Sequence, residues 1–286
     1  MKINQQLQRG FTLVELLVGL VLTLFISAIA ITYMVASSQS FRVQANDSLS
    51  QENARYALEI LSQNVRLAGF DPLNNIGTNL DVIYTGTGCE AAEQGQNSGT
   101  EICTQDGLTA NANGINSDRF AVEYIVDGNF TACNGALINA SPVNTQRLAN
   151  VFWTADIDLD GVRSLYCQTI NVNGGNNVGG APAQPIIDGV DAIQVQYGVA
   201  ENPDGLIQSY QSYDNLIAGG LVAQTRNVKA IRIALLVNGG FASAGDSQLE
   251  VTQDRTYQLL DATVSVNADR LLRQVYSTTI ATPNNF

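Results

Sequence analysis

The feature that most constrains this chain is an almost unbroken apolar run from Phe11 to Val35. A helix rises about 1.5 Å per residue, so a run of this length extends roughly 37 Å and is long enough to cross a bilayer. The leader before it, residues 1–10, carries Lys2 and Arg9 and no acidic residue. Because basic residues stay on the cytoplasmic side, we expect the chain after the run to be exported.

A glutamate, Glu15, interrupts this run close to its start. An ionised carboxylate within a membrane span costs on the order of a few kcal/mol unless it is paired, which makes it a candidate functional residue. An ordinary secretory signal would end in an A-x-A-like cleavage site, whereas here the run continues directly into helical sequence. A plain membrane anchor leaves the carboxylate unexplained.

The phrase RGFTLVELL, residues 9–17, resembles the class III signal of type IV prepilins and pseudopilins. The resemblance implies that a membrane prepilin peptidase cuts between Gly10 and Phe11 and methylates the new amino terminus of Phe11. It also implies that Glu15 neutralises the amino terminus of a neighbouring subunit during filament assembly. Physical chemistry agrees with this role, because a buried charge pair tolerates low dielectric better than a lone charge.

The absence of proline before Pro72 predicts one helix from about Phe11 to about Ala68. Its second half carries an apolar stripe with helical spacing, which predicts packing on a globular domain. The stripe consists of Ala54, Ala57, Leu58, Leu61, Val65 and Ala68. We therefore divide the chain into a leader (1–10), a membrane or filament-core half of the helix (11–35), an amphipathic half (36–70) and a β-rich globular domain (71–286).

The globular domain is expected to be mostly β-strand, because β-branched and aromatic segments alternate with turn signals. The predicted strands are Arg119–Val126, Asn150–Thr154, Ser164–Val172, Ala192–Val199, Val228–Val237, Tyr257–Val266 and Leu272–Ile280. A short helix is predicted within 213–224 and a long loop between 72 and 118. The fold class is therefore α+β, a type IV pilin-like long N-terminal helix packed on antiparallel β-sheet.

Composition narrows the function classes. The chain has no histidine, which removes the commonest general base and zinc ligand. Its net charge of −12 argues against nucleic acid as a direct partner. We find no P-loop or Ser-Lys dyad, and we expect a structural protein rather than an enzyme.

The four cysteines, Cys89, Cys103, Cys133 and Cys167, have no CxxC spacing, which disfavours a metal ribbon. Their even number and polar surroundings predict two disulfides in an oxidising compartment, with four buried free thiols as the alternative. Spacing suggests Cys89 with Cys103 and Cys133 with Cys167, although four cysteines allow three pairings.

Three acidic residues, Asp156, Asp158 and Asp160, precede Gly161 and match the first half of a calcium-binding loop. Cys167 stands where the loop needs its glutamate, and Asp-Gly is also favoured in a hairpin turn. We therefore favour a hairpin turn and keep calcium as the alternative. No other cofactor is expected.

The stem phrase ENARYALEILSQNVRLAGFDP (52–72) and the segments 228–237 and 269–286 resemble the PilW group of minor pilins. This resemblance implies a minor pilin that helps to initiate type IV pilus assembly at the inner membrane and is then incorporated at or near the tip. The implied partners are other minor pilins, the major pilin, the prepilin peptidase, the inner-membrane assembly platform and a tip adhesin. Type IV pili support twitching motility, adhesion and DNA uptake.

Two other functions stay open at this point. A minor pseudopilin of a type II secretion system would use the same N-terminal signal, and genomic neighbours would distinguish it from a pilus component. A membrane-anchored periplasmic binding protein or enzyme would keep its N-terminus uncut and would need a pocket with convergent polar groups. In each case the chain is a single-pass inner-membrane protein with a periplasmic domain, and in the pilus case it later reaches the cell surface.

Overall fold

A computed structural model describes residues 11–72, 80–89, 101–110, 115–140, 145–157, 162–174, 176–178, 182–201, 205–218, 227–239, 253–268 and 271–284. The chain forms two compact units, Met1–Ala45 and Asn46–Phe286. The predicted division at residue 35 stays a prediction, and helix α1, Leu13–Leu67, begins in the first unit and ends in the second.

The remaining elements all belong to the second unit. They are β1 (Thr87–Cys89), β2 (Glu101–Ile102), β3 (Gln105–Ala110), β4 (Ile115–Val126), β5 (Asn129–Thr131), β6 (Leu137–Asn139), β7 (Gln146–Ala155), β8 (Ser164–Asn171), β9 (Asn176–Asn177), β10 (Gln184–Asp188), β11 (Val190–Ala200), β12 (Ile207–Gln211), α2 (Tyr213–Ala218), β13 (Val228–Asn238), β14 (Arg255–Leu259), β15 (Ala262–Val266) and β16 (Arg273–Ala281).

Two antiparallel sheets form the body of the second unit, which confirms the predicted α+β class. The first sheet has the order β10-β8-β7-β4-β3, with β9 beside β8, and the second has the order β12-β11-β13-β16. The main hydrophobic core lies between them. It joins Leu61 of α1 to Phe120 and Phe152 of the first sheet and to Ile193 and Ile231 of the second.

The predicted apolar stripe of α1 supplies the helical side of this core. Ala54, Ala57, Leu61 and Val65 are each at most 1% exposed. The helix ends because Gly69 adopts a φ of 74°, a left-handed conformation that glycine reaches without strain. The side chain of Asn284 then donates hydrogen bonds to the carbonyls of Arg66 (2.8 Å) and Ala68 (3.3 Å). Asn284, which follows Arg66 by 218 residues, thus caps the C-terminal end of α1.

Smaller hydrophobic clusters cover the outer faces of the sheets. Trp153 and Tyr166 face each other across β7 and β8 with ring centroids 6.0 Å apart, and both are buried. The β14–β15 hairpin packs Leu259 and Val264 over Leu236 of the second sheet.

Two of the predicted elements are wrong. The predicted strand Tyr257–Val266 is a hairpin, in which Leu259 pairs with Ala262 across a two-residue turn. Leu260 has a φ of 53° in this turn, and no glycine or asparagine marks the position in the sequence. The predicted loop between 72 and 118 contains β1, β2, β3 and the start of β4. In the predicted helix at 213–224, α2 covers Tyr213–Ala218, and the rest lies outside the described residues.

Candidate assembly site

The first turn of α1 is built around Thr12 and Glu15. The backbone N–H of Glu15 donates to the side-chain oxygen of Thr12 (3.3 Å) and to its carbonyl (3.1 Å), which makes Thr12 the N-cap. The Thr-x-x-Glu spacing is that of a capping box, and a carboxylate in the first turn also complements the helix dipole. Local chemistry therefore fixes where the helix begins and places Glu15 one turn inside it.

Beyond this turn the helix exposes its apolar side chains on all sides. The large apolar residues between Phe11 and Val35 are 46–78% exposed within the chain. By length and composition α1 can cross a membrane, with a mean hydropathy of 2.6 over its most apolar window. Phe11 is 78% exposed, whereas Gly10, the other residue of the predicted cleavage site, lies outside the described residues.

The hydroxyl groups within the apolar half are satisfied by the helix itself. Thr23 donates to the carbonyl of Leu20 (2.9 Å), Ser27 to that of Thr23 (2.7 Å) and Thr32 to that of Ile29 (2.8 Å). Such bonds let hydroxyl side chains sit in an apolar medium. The carboxylate of Glu15 differs from these groups, because no hydrogen bond or ion pair to it is seen within residues 11–72 or the other described segments.

A buried polar network in the second unit ties α1 to the first sheet. Asn150 on β7 donates to the side-chain oxygen of Asn64 on α1 at 2.6 Å. The oxygen of the same Asn150 side chain accepts from Tyr124 (2.9 Å) and Thr169 (2.7 Å). Because unmatched buried amides are unfavourable, this network fixes the position of the helix along the sheet.

Two disulfides fasten loops of the second unit. Cys89 is bonded to Cys103 with Cα atoms 5.3 Å apart, and Cys133 is bonded to Cys167 with Cα atoms 6.0 Å apart. The first joins β1 to the residue after β2, and the second joins the β5–β6 turn to β8. The structure therefore contains the pairing that the spacing suggested, among the three that were possible.

Two comparisons with known families bear on these features. The sequence model of the prokaryotic N-terminal methylation motif matches residues 6–31, which include the leader and the first turns of α1. The sequence model of type IV pilus-assembly protein W (PilW) matches residues 153–284, from β7 to the Asn284 cap. The PilW model matches 132 of the 286 residues, so this part of the chain is similar to the PilW family.

Other comparisons are weaker. A solved structure of a type IV-like pilin from Thermus thermophilus aligns with 82% of this chain and 96% of its own, at 12% identity and a TM-score of 0.39. No curated protein sequence matches the chain significantly. The similarity to the PilW family therefore rests on the sequence matches, and the fold class rests on the elements described above. The methylation motif and the apolar helix fit a membrane-anchored pilin with a periplasmic domain.

The predicted calcium site falls largely outside the described residues. Asp156 follows β7, whereas Asp158, Asp160 and Gly161 are not described. In the described part of the chain no three acidic or cysteine side chains gather closely enough to hold a metal ion. Calcium binding here stays a prediction.

Sequence reasoning missed the buried carboxylate of Asp118, which joins the two sheets. Its oxygens accept hydrogen bonds from Gln194 Nε2 (3.0 Å), from the Gly107 backbone N–H (2.9 Å) and from the Val195 backbone N–H (2.8 Å). Burial raises the pKa of Asp118 to about 7, although the two backbone hydrogen bonds oppose the change. The nearby Asp106 carboxylate raises this pKa further.

A second buried acid, Asp191, also holds strands together. Its carboxylate lies 2.5 Å from Nε of Arg273 on β16 and accepts a hydrogen bond from Asn238 at 2.9 Å. Asp188 does not pair with Asp191, because Gly189, with a φ of 82°, turns the chain between them and Asp188 accepts a hydrogen bond from Ser164 at 2.8 Å. Both buried acids directly precede a predicted strand, at Arg119 and at Ala192, and this position is the signal that the sequence offers.

Proposed function

We propose that this chain is a minor pilin of the PilW type that helps to initiate type IV pilus assembly at the inner membrane and is incorporated at or near the pilus tip. The proposal rests on one observation. Glu15 sits one turn into a helix whose surroundings are exposed apolar side chains, and no partner for its carboxylate occurs among the described residues.

The proposed mechanism follows from the cost of that carboxylate. Cleavage between Gly10 and Phe11 would create an ammonium group at Phe11, and apolar helices of neighbouring subunits would pack side by side. An ammonium of one subunit near Glu15 of the next would replace the water that the carboxylate loses on assembly. The favourable charge pair forms only when the amino terminus of one subunit lies beside Glu15 of the next. The pair would therefore determine the axial offset between neighbouring helices as well as stabilise their contact.

The role of the second unit in this proposal is structural. It would present a rigid lateral surface to the other minor pilins, the major pilin and a tip adhesin, while the assembly platform moves the helix out of the membrane. Its disulfides suit the periplasm and the cell surface, which are oxidising compartments. The acids buried in it are engaged in holding strands together, which favours a structural role over catalysis.

The first test replaces the carboxylate and leaves the size of the side chain unchanged. We expect Glu15→Gln to accumulate in the membrane at a normal level but to fall more than about tenfold in sheared surface pili, because breaking a buried charge pair costs about 3–5 kcal/mol. Immunoblots of the membrane and sheared fractions measure this. Glu101→Gln is the matched control, since Glu101 is exposed on β2 and lies away from the apolar helix.

The N-terminal mass of each variant separates processing from assembly. We expect the mature chain to begin at N-methylated Phe11 in the wild type, in Glu15→Gln and in Glu101→Gln. A Glu15→Gln chain that is processed normally and enters pili like the wild type would contradict the mechanism. Recovery of the chain with secretion-system pseudopilins instead of pilins would assign it to type II secretion.

The position in the filament needs its own measurement. We expect a strain that lacks the chain to make fewer pili of ordinary length, because initiation rather than elongation is impaired. Immunogold labelling of the wild type should mark pilus ends. Labelling distributed evenly along the filaments would rule out the tip.

A further inference from the structure

Strand β16 is an unusual edge strand. In the two large sheets, the other described edges are interrupted: β10 contains Pro185 and a register shift, β3 contains Gly107 and a register shift, and β12 has only five residues and a shift. By contrast, β16 pairs with β13 through nine consecutive residues without a shift. Proteins normally protect an edge of this length by a charge, a proline or a bulge.

The composition of β16 also suits the addition of another strand. Residues 274–281 read QVYSTTIA and contain no charged residue, glycine or proline. The described structure contains no backbone hydrogen bond from these residues other than those to β13. On every second residue the outer N–H and C=O groups are therefore available to an extended peptide, which is the chemistry of strand addition.

A groove beside β16 provides room for such a peptide. It lies between α1 and β16, has a volume of about 840 Å³ and is lined by Glu52, Arg55 and Glu59 of the helix and by Tyr276 and Thr278 of the strand. A strand added to the edge could place the side chains of one face in this groove.

The direction of β16 limits what the added strand can belong to. Gln274, near the start of β16, hydrogen-bonds to Asp47 of α1, and Asn284 beyond its end bonds to the carbonyl of Arg66. The strand therefore runs alongside this part of α1 in the same direction. Two copies of β16 paired antiparallel about a two-fold axis would point these helix segments in opposite directions, which subunits anchored in one membrane cannot do.

A neighbouring subunit whose helix points the same way avoids this conflict between the two helix directions. All pairings in the second sheet are antiparallel, so its two edges, β12 and β16, run in opposite directions. A similarly built subunit whose helix points the same way would thus present its far edge antiparallel to β16. Antiparallel pairing is also the more stable of the two kinds.

We propose that β16 receives an uncharged edge strand from a neighbouring pilin-like subunit, running antiparallel to β16, so that the two globular domains share one continuous sheet. The identity of this neighbour rests on the proposed function. The strand-accepting edge rests on the register, composition and groove of β16.

Photocrosslinking in cells tests the contact with the complete chain. A benzoylphenylalanine is placed at Ser277, which is exposed on β16, and in a matched control at Ser265, which is exposed on β15. We expect an adduct with another pilin-like protein from position 277 and none from position 265. No adduct from 277, or an adduct with the same chain or with a protein that is not pilin-like, would overturn the proposal.

A lysine at the edge supplies the second test. We expect Ser277→Lys to reduce that adduct, probed from Val275, by about tenfold or more, which corresponds to roughly 1.4 kcal/mol, while Ser265→Lys leaves it unchanged. Unaltered Trp153 fluorescence shows that each variant is folded. An undiminished adduct in Ser277→Lys would overturn the strand pairing. If Glu15→Gln is excluded from pili while Ser277→Lys keeps the contact, the strand proposal fails and the proposed function stands.

Discussion

The carboxylates of the two units differ in their surroundings and in whether the chain supplies them with partners. Asp118, Asp191 and Glu123 of the second unit are 3%, 2% and 1% exposed, and each has partners supplied by the same chain. Glu15 of the first unit lies among exposed apolar side chains, and its carboxylate has no partner within the described residues. The buried acids therefore stabilise the fold, whereas the proposed function gives Glu15 a partner outside the chain.

This difference predicts that substitutions of the two kinds of acid have different effects on the stability of the second unit. Substitutions at the buried acids or their partners should alter the stability of the second unit. Glu15→Gln should leave that stability unchanged. Fluorescence of Trp153, the single tryptophan, reports unfolding of the second unit, because its side chain is 1% exposed there.

The largest effect is expected for Arg273→Ala. This substitution leaves the Asp191 carboxylate buried without its ion-pair partner, and breaking such a pair costs about 3–5 kcal/mol. Urea unfolding of the full chain in detergent, followed by Trp153 fluorescence, measures the loss. Arg255→Ala is the control, because Arg255 is exposed on β14 and should change the stability by less than about 0.5 kcal/mol. Equal losses in both variants would contradict the importance of the buried pair.

The two disulfides should contribute unequally. Chain entropy predicts about 4 kcal/mol for Cys133–Cys167, which closes 34 residues, and about 3 kcal/mol for Cys89–Cys103, which closes 14. Each pair is replaced by two alanines, and urea unfolding compares the variants with the oxidised wild type. A larger loss at Cys89–Cys103 would show that local packing outweighs loop length. Glu15-dependent assembly should persist wherever the second unit remains folded.

The stability of the second unit should also depend on pH. The pKa of Asp118 is raised to about 7 in the folded chain, above its usual value near 3.9, so the native state holds a proton that the unfolded state releases. The resulting stability is fully present below about pH 4 and is lost as the pH rises to about 7, at up to roughly 1.4 kcal/mol per pH unit. Asp118→Asn should remove this slope. Unfolding at several pH values measures the free energy of unfolding of both proteins. The same pH dependence in wild type and variant would contradict the assignment of this dependence to Asp118.

Asp118→Asn should be less stable than the wild type below about pH 4, where the protonated Asp118 still contributes its full stability. Two backbone N–H groups and an amide point at the Asp118 oxygens, and an asparagine can offer only one oxygen to them. One donor would then face the new NH₂ group, at a cost of about 1–3 kcal/mol. The pH slope, and not the offset, is therefore the diagnostic quantity.

Sequence alone was sufficient where the governing interactions are local or strongly periodic. The apolar run, the stripe from Ala54 to Val65 and the stop at Gly69 set the helix, and the structure places it at Leu13–Leu67. The strands with alternating β-branched residues were also found, because their pattern does not depend on which strand lies beside them.

Other features depend on partners that are far away in the sequence. Asp118 lies in the strand phrase SDRFAVEY, and nothing nearby shows that Val195 and Gln194 will meet its carboxylate. The same holds for Asp191 and Arg273, which are 82 residues apart. The hairpin at Leu260 was missed because its turn lacks the residues that normally mark one.

The cap that Asn284 provides for α1 has a consequence for biogenesis. Asn284 follows Arg66 by 218 residues. During synthesis the last carbonyls of the helix therefore lack these two hydrogen bonds until the second unit has been made. Strand β16, which completes the second sheet, arrives just before Asn284. A polypeptide that stops before β16 would consequently lack both this strand and the Asn284 cap. We expect such a chain to be degraded by proteases.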